Sequence, residues 1–343
     1  MKFDFNSANY YGIEDVWLPL SEGILDWNKD SHQLMLNDEL RMNSFKRAIQ
    51  EVIQPGMIVI DVGTGTGILG LWALEAGAKH LYAIEMNSEI LPVVVRNFER
   101  EFPGKYEVFN KISYNLELPT RGDVIISEIL GNLGDNEDCV PILTDARHRF
   151  LREGGIMLPS KVCSKLVPID SLKVHQQVQS RNVKSISGYT IETLLQRLAI
   201  TNQFDLYYDA ILPNTSHLST PQVAKEFRFD GSDRDTYEIS LIFTVEVDGI
   251  FTGLKGSFVA QLSDSVILDI SKSDDFSSVR WKHAYLPIET PIEVKRGDKI
   301  CLAFSRFCSS GGLPFAQVYK ESVRTEISLF LIENSTSHLF LKT

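Results

Sequence analysis

The chain has 343 residues, 43% hydrophobic and 23% charged, with 34 basic against 45 acidic residues and a formal net charge of −11. That composition excludes wholesale disorder, collagen and coiled coil, and the length suggests about two domains. The acidic balance repels phosphate backbones and attracts cations, so it argues against nucleic acid as a partner and suits a cationic substrate, although ordinary solubility explains it too.

No apolar run reaches the roughly 18 residues of a membrane-spanning helix, and no membrane partner is expected. The first residues, Met1-Lys2-Phe3-Asp4-Phe5-Asn6, lack an apolar signal core, so no secretory signal is expected. Cys139, Cys163, Cys301 and Cys308 form no C-x-x-C pair. That spacing argues against a metal site and a disulfide framework, and reduced thiols in a cytoplasmic protein are expected.

From Asp30 to Ile53, Leu34, Leu36, Leu40, Phe45, Ile49 and Ile53 recur at helical spacing, and Pro55-Gly56 ends the pattern. Met57 to Val62 is a β-branched run suited to a strand buried on both faces. Gly63 to Gly67 is a glycine-rich turn, Ile68 to Ala76 an apolar helix, His80 to Ile84 a second strand and Asn87 to Arg100 a further helix. Asp123 to Ile126 is a third strand. Strands alternating with helices predict βαβ units and a parallel sheet. After about Pro159 the pattern changes. Tyr237 to Glu246 alternates with period two, imperfectly at Ile242, and shorter strand-like runs follow at Gly256–Leu262, Val266–Ile270, Pro291–Val294, Lys299–Phe304 and Thr325–Ile332. These predict an antiparallel sandwich or barrel. Within this half, Ile191, Leu194, Leu195 and Leu198 share one helical stripe, either an arm for a partner or a cover for the β domain. The division read from the chain is a helical N-terminal segment at 1–55, a Rossmann-like domain at 56–158 and a β domain at 159–343, with the helical insertion at about 170–205.

The strongest local motif is Asp61-Val-Gly63-Thr-Gly65-Thr-Gly67, placed between a strand and a helix, with Glu85 at the end of the next strand. Glycine lets backbone approach a ligand closely, and an acid at that strand end can accept both ribose hydroxyls. Dinucleotide sites use G-x-G-x-x-G because a pyrophosphate rests on the helix N-terminus. The G-x-G-x-G spacing here, preceded by Asp61, is the form suited to S-adenosylmethionine, which has no phosphate.

The second constellation is Ser127-Glu128-Ile-Leu-Gly131-Asn-Leu-Gly134-Asp-Asn-Glu137. Glu128 follows a strand of the parallel sheet, and two glycines let the chain turn back before Glu137. Two carboxylates sharing one cavity repel, and a guanidinium between them relieves that repulsion because its planar fork of donors matches carboxylate geometry. A solvated acidic loop is the plainer alternative.

In these motifs the chain resembles the protein arginine methyltransferase family over roughly residues 30 to 335. The resemblance rests on Met35-Leu-Asn-Asp38-Glu-Leu-Arg41, the glycine loop through Leu69, Ala76-Gly77-Ala78, Ile84-Glu85, the double-glutamate loop and Val279-Arg280-Trp281-Lys282. It implies a Rossmann-like methyltransferase domain followed by an antiparallel β-barrel whose helical arm makes a homodimer. It also implies residue roles. His32, Arg41, Asp61, Gly63, Gly65 and Glu85 would hold S-adenosylmethionine, with Arg41 on its carboxylate. Glu128 and Glu137 would clamp the substrate guanidinium, Met35 would abut the reacting nitrogen and Trp281 would wall the pocket. The double-glutamate loop looks most like the symmetric-dimethylating branch, whose large N-terminal domain this chain is expected to lack.

Where many members read Thr-His-Trp this chain reads Val279-Arg280-Trp281, so an Asp38–Arg280 ion pair is expected to replace the histidine contact. An acid that contacts adenine in many members is replaced by neutral residues around Tyr114. The function implied is methylation of arginine in a protein or peptide. Free arginine or a small guanidine is the alternative acceptor, and a catalytically silent cofactor-binding scaffold is a third reading.

Overall fold

A computed structural model of the chain describes residues 14–18, 35–135, 137–185, 190–198, 200–213, 216–233, 237–272, 281–306, 325–332 and 337–341. A short strand β1 (Val16–Trp17) precedes helix α1 (Glu39–Val52). Asp38 caps α1 by accepting the Arg41 N–H at 3.0 Å, and Arg41, Ser44, Phe45, Ala48 and Ile49 form its buried stripe. Four of those five fit an ordinary helix–core contact. An arginine on that stripe does not, because a guanidinium is rarely buried without partners.

The first layer is a parallel sheet. It is built from β2 (Ile58–Val62), β3 (His80–Ile84), β4 (Tyr106–Phe109), β5 (Gly122–Ser127) and β6 (Leu151–Leu158), in the order β4-β3-β2-β5-β6. Helices α2 (Ile68–Glu75), α3 (Leu91–Glu101) and α4 (Cys139–Phe150) connect the strands. The interior of β2, β3 and β5 is buried almost without a break, which explains why those strands read as continuous apolar runs rather than alternating ones. Order reverses at β2, with β3 on one side and β5 on the other. Ligands of open α/β sheets sit at the carboxyl ends of strands at such a reversal.

After β6 the chain enters antiparallel sheets. The remaining elements are β7 (Lys161–Ile169), α5 (Leu172–Gln179), α6 (Ile191–Leu198), β8 (Tyr208–Ala210), β9 (Gln222–Phe227), β10 (Tyr237–Thr244), β11 (Gly249–Gln261), β12 (Ile267–Asp269), β13 (His283–Val294), β14 (Lys299–Arg306), β15 (Thr325–Ile332) and β16 (Ser337–Leu341). One sheet runs β1-β8-β13-β11-β7-β9 with β12 beside β11, and the other runs β10-β14-β15-β16. Together they make the barrel half. β10 alternates buried and exposed positions, and Ile242 is 57% exposed, which accounts for the break in its pattern.

The expected order of elements from Met57 to Ile126 appears with shifts of a few residues at element ends; the helix expected from Asn87 begins at Leu91. One difference concerns the N-terminal segment, expected to be helical. Val16–Trp17 is instead a strand, paired antiparallel with β8 of the barrel. A β-branched and an aromatic residue side by side fit a pleated surface, and both are buried there at 4% exposure or less. The helical insertion is two helices, α5 and α6. Among the described residues no helix is long and apolar enough to cross a membrane.

Candidate active site

The register of the parallel sheet builds the site. Val62 pairs with Ile84 on one side and with Ser127 on the other. The next residue of each strand is therefore Gly63, Glu85 and Glu128, three residues remote in sequence that leave the sheet at one level.

Gly63 turns the chain at φ +72, and a Cβ there would lie 2.8 Å from the Ile129 side chain. The loop is held by its own neighbours. The N–H groups of Gly63 and Thr64 both donate to Ile84 O, and the Gly65 N–H donates to Glu85 Oε2 at 2.8 Å. The other Glu85 oxygen accepts from the Asn87 N–H at 2.8 Å. Burial raises the Glu85 pKa, and these backbone donors oppose that rise.

Asp61 lies beneath the loop with no exposure. Its Oδ2 accepts from Thr64 Oγ1 at 2.5 Å and the Gly70 N–H at 3.1 Å, while Oδ1 has no hydrogen-bond partner. Burial pushes its pKa up to about 7, against the pull of those two donors.

The double-glutamate loop is held differently. Ser127 Oγ donates to Val62 O at 2.7 Å, which ties its start to the parallel sheet. Gly134, at φ +93, closes a tight turn by donating to Gly131 O. Beyond that point the barrel supplies the anchors. Asn132 Nδ2 donates to Asp209 Oδ1 of β8 at 2.8 Å. Ser164 Oγ of β7 donates to Leu133 O at 2.5 Å, and Tyr237 OH of β10 donates to Asp135 Oδ2 at 3.2 Å. A Cβ on Gly134 would meet Val162 at 2.9 Å, so loop and barrel are in contact there.

These elements enclose a cavity lined by Met35, Arg41, Gly63, Gly65, Glu85, Glu128 and Glu137, among others. The structure thus brings together seven of the residues expected at the site. Burial raises the Glu128 pKa, the Arg41 guanidinium and the Leu130 N–H lower it, and nearby Asp38 raises it. Arg41 Nη1 lies 3.2 Å from Glu128 Oε2, and Arg41 Cζ lies 3.6 Å from the centroid of the Trp281 ring. Trp281 is buried and meets Phe258 edge-on at 4.9 Å. The arginine expected on a cofactor carboxylate thus stands between the glutamate and the tryptophan expected for the acceptor. Its Nε is buried without a hydrogen-bond partner.

Asp38 is buried and caps α1; Arg280, its expected ion-pair partner, and His32 lie outside the described residues. Sequence reasoning missed Thr64, Met86, Ile129 and Ile142, which also line the cavity. A signal for two of them was available, since Met86 and Ile129 directly follow Glu85 and Glu128. Tyr114 is 43% exposed and is not among the lining residues. Among the described residues no cluster of side chains could hold a metal ion.

Comparison with known proteins agrees with this architecture. A family described as the PRMT5 oligomerisation domain matches residues 161–335, and one described as ribosomal protein L11 methyltransferase (PrmA) matches residues 46–166. The chain is 25% identical over 321 residues to protein arginine N-methyltransferase 5 of Xenopus laevis, covering 88% of this chain and 48% of that protein. It therefore spans about half the length of that relative. It is 29% identical over 283 residues to arginine N(omega)-methyltransferase of Streptomyces achromogenes subsp. streptozoticus, covering 79% and 74% of the two chains. Among solved structures, protein arginine methyltransferase 10 of Arabidopsis thaliana superposes with a TM-score of 0.75 at 23% identity, covering 92% of this chain and 97% of that one. The Trypanosoma brucei PRMT1 enzyme–prozyme heterotetrameric complex with AdoHcy superposes with a TM-score of 0.74 at 18% identity, covering 92% and 98%. Both show the same fold, a Rossmann-like methyltransferase domain joined to a barrel.

Proposed function

The chain belongs to the protein arginine N-methyltransferase family, and on that premise we propose that it uses S-adenosylmethionine to methylate a guanidino nitrogen of arginine in a protein or peptide. The observation that carries this reading is a single cavity lined by the glycine loop, Glu85 and both glutamates of the Ser127–Glu137 loop. The residues present fit the cofactor. Gly63 and Gly65 line the cavity without a side chain. Glu85 has lone pairs beyond the two its backbone donors use, enough for ribose hydroxyls. The unpartnered Arg41 Nε–H is a donor suited to a carboxylate. S-adenosylmethionine supplies an electrophilic methyl group.

The chain's own residues address the acceptor. A guanidinium stays protonated at neutral pH, and its delocalised lone pairs make it a poor nucleophile. In this reading Glu128 and Glu137 neutralise it and draw charge toward the nitrogens they bind, leaving the third nitrogen richer. They also fix that nitrogen's direction, which converts binding energy into orientation. Trp281 offers an aromatic face for the guanidinium plane. Met35 limits the space at the reacting nitrogen. As the new N–C bond formed and the methyl's bond to the sulfonium sulfur broke, leaving S-adenosylhomocysteine, the nitrogen would become acidic, and Glu137 would take the proton. We also assign α5 and α6 to an arm that docks on a second copy of the chain, giving a homodimer; sedimentation giving a monomer would reject that assignment.

The test is transfer of isotopically labelled methyl from S-adenosylmethionine to an arginine-rich peptide pool and, separately, to free arginine, with the methylarginine isomers resolved by mass spectrometry. Label in peptide arginine is the expected result, and the isomer identifies the product class. Label in free arginine alone would reassign the acceptor. No label in either, with cofactor bound, would leave a scaffold.

A further inference from the structure

We infer that Asp138 is a positioning residue for the methyl transfer, and that it acts through its left-handed backbone, which aims Glu137 into the cavity, rather than through its carboxylate. The inference rests on the proposed function, since it needs Glu137 to be one of the two glutamates that hold the acceptor.

Three observations carry it. Asp138 lies at φ +57 and ψ +24, directly after Glu137 and directly before α4. Among the described residues the other non-glycine residues at positive φ are Glu14, Arg181 and Phe229, and none of these adjoins a residue that lines the cavity. A Cβ is crowded in this region, and glycine, asparagine and aspartate enter it most readily. A helix N-cap usually has extended backbone and places a side-chain oxygen on the first free N–H groups. Asp138 is left-handed instead, and its side chain makes no capping bond. Capping therefore does not explain an aspartate here, whereas the turn does. Second, Glu137 and Ile142 line the same cavity although they stand on opposite sides of this residue. The Ile142 N–H donates to Asp138 O at 3.3 Å, so the helix starts from Asp138 itself, and the left-handed turn folds its first residues back beside Glu137. Third, Cys139 Sγ donates to Gly134 O at 3.1 Å, which closes the segment carrying Glu137 into a short ring.

Left-handed residues stand near both ends of this ring, Gly134 at one and Asp138 at the other. Gly134 adopts the conformation freely because it has no Cβ. Asp138 does not, and a β-branched residue in its place would be driven toward extended backbone. That change swings the chain on the N-terminal side of residue 138, and Glu137 is the first residue to move. The Cys139 thiol is buried but is a weak donor, so it steadies the ring without enforcing the turn by itself. A Glu137 carboxylate displaced by about an ångström no longer fixes the direction of the reacting nitrogen, a loss worth up to roughly a hundredfold in rate. The glycine loop hangs on Ile84, Glu85, Asp61 and Asn97, so cofactor affinity is expected to survive the same change.

The experiment compares Asp138→Asn, Asp138→Gly and Asp138→Val in the full-length chain, by turnover on an arginine-rich peptide and by S-adenosylhomocysteine affinity in calorimetry. All three remove the charge, but asparagine and glycine keep the left-handed turn and valine resists it. Asp138→Val is expected to lose roughly ten- to a hundredfold in kcat. Asparagine and glycine are expected to restore near-parental kcat, with affinity unchanged in all three. In the Glu137→Gln background Asp138→Val is expected to add no further loss, because the group it acts through is already disabled. Parental turnover in Asp138→Val would overturn the inference. Equal losses in all three variants would assign the effect to the carboxylate and overturn it as well. A valine loss that persists in full beside Glu137→Gln would mark general damage, overturning the inference and leaving the clamp intact. If Asp138→Val does not bind S-adenosylhomocysteine, Asp138→Ala takes its place and is read in the same way. Glu137→Gln turning over as fast as the parent would overturn the clamp of the proposed function and this inference with it.

Discussion

The two loops that meet in the cavity are built by different parts of the molecule. The glycine loop is self-supporting. Its hydrogen bonds run to Ile84, Glu85, Asp61 and Asn97, at most 31 residues away and all within the sheet-and-helix half. The double-glutamate loop begins on that sheet but depends on Asp209, Ser164 and Tyr237, which are side chains of barrel strands β8, β7 and β10. A cofactor site can therefore form within one domain, whereas the acceptor site exists only where two domains touch. Cofactor binding and catalysis are accordingly separable by mutation, and the following experiments attack that separation.

The largest effect is expected at the glutamates. Glu128→Gln and Glu137→Gln each keep shape and lose charge, and each should lower turnover by at least about two decades, the usual scale for a lost electrostatic or acid–base group. Affinity for S-adenosylhomocysteine should change little in Glu137→Gln. Turnover near that of the parent chain in both variants would remove the clamp from the mechanism.

Next is Gly63→Ala, which places a Cβ at a positive φ and 2.8 Å from Ile129. The expected cost is about 1–3 kcal/mol, read as lost cofactor affinity in calorimetry. Because Ile129 follows Glu128, turnover at saturating cofactor should fall too. Unchanged affinity would show that the loop tolerates relaxation.

A smaller effect is expected from the barrel side. Tyr237→Phe removes the hydroxyl donor to Asp135 and should cost about 1 kcal/mol of stability, and Ser164→Ala should behave alike. Both should lower kcat while leaving S-adenosylhomocysteine affinity unchanged. Equal losses in both quantities would mean that the two loops are not independent.

A further effect concerns pH. Asp61 has a folded pKa of about 7, raised from 3.8 by burial. The folded state holds that proton more tightly than the unfolded state, so this group's contribution to stability declines as pH rises from about 4 to about 7 and is level above that. Asp61→Asn keeps an acceptor for Thr64 and Gly70 and has no such decline. Its melting temperature relative to the parent should rise by a few degrees between pH 5 and pH 8, roughly 2–4 °C for each kcal/mol involved. A constant difference across that range would show that Asp61 is ionised throughout.

Much of the cofactor half was legible in the chain because its determinants are local. A β-branched run, a glycine turn and an apolar helix follow one another from Ile58 to Glu75, and Glu85 ends the next strand. The acceptor half was legible only as residue identities. That Glu128 and Glu137 belong together was readable from their glycine-spaced loop, but its anchors at Ser164, Asp209 and Tyr237 lie 31 to 102 residues further along the chain than the loop residues they hold. Nothing in the periodicity of β7, β8 or β10 marks those positions.

Arg41 shows where the boundary falls. The sequence by itself determined that apolar residues recur at helical spacing along α1 and that the glycine loop sits between a strand and a helix. These follow from spacing along a single segment. Only the tertiary structure decided what that arginine touches, because Glu128 lies 87 residues away and Trp281 is in the barrel. A side chain's partners depend on which surfaces the folded chain brings within a few ångströms. That is a property of packing between segments and is not encoded in the pattern of any one of them.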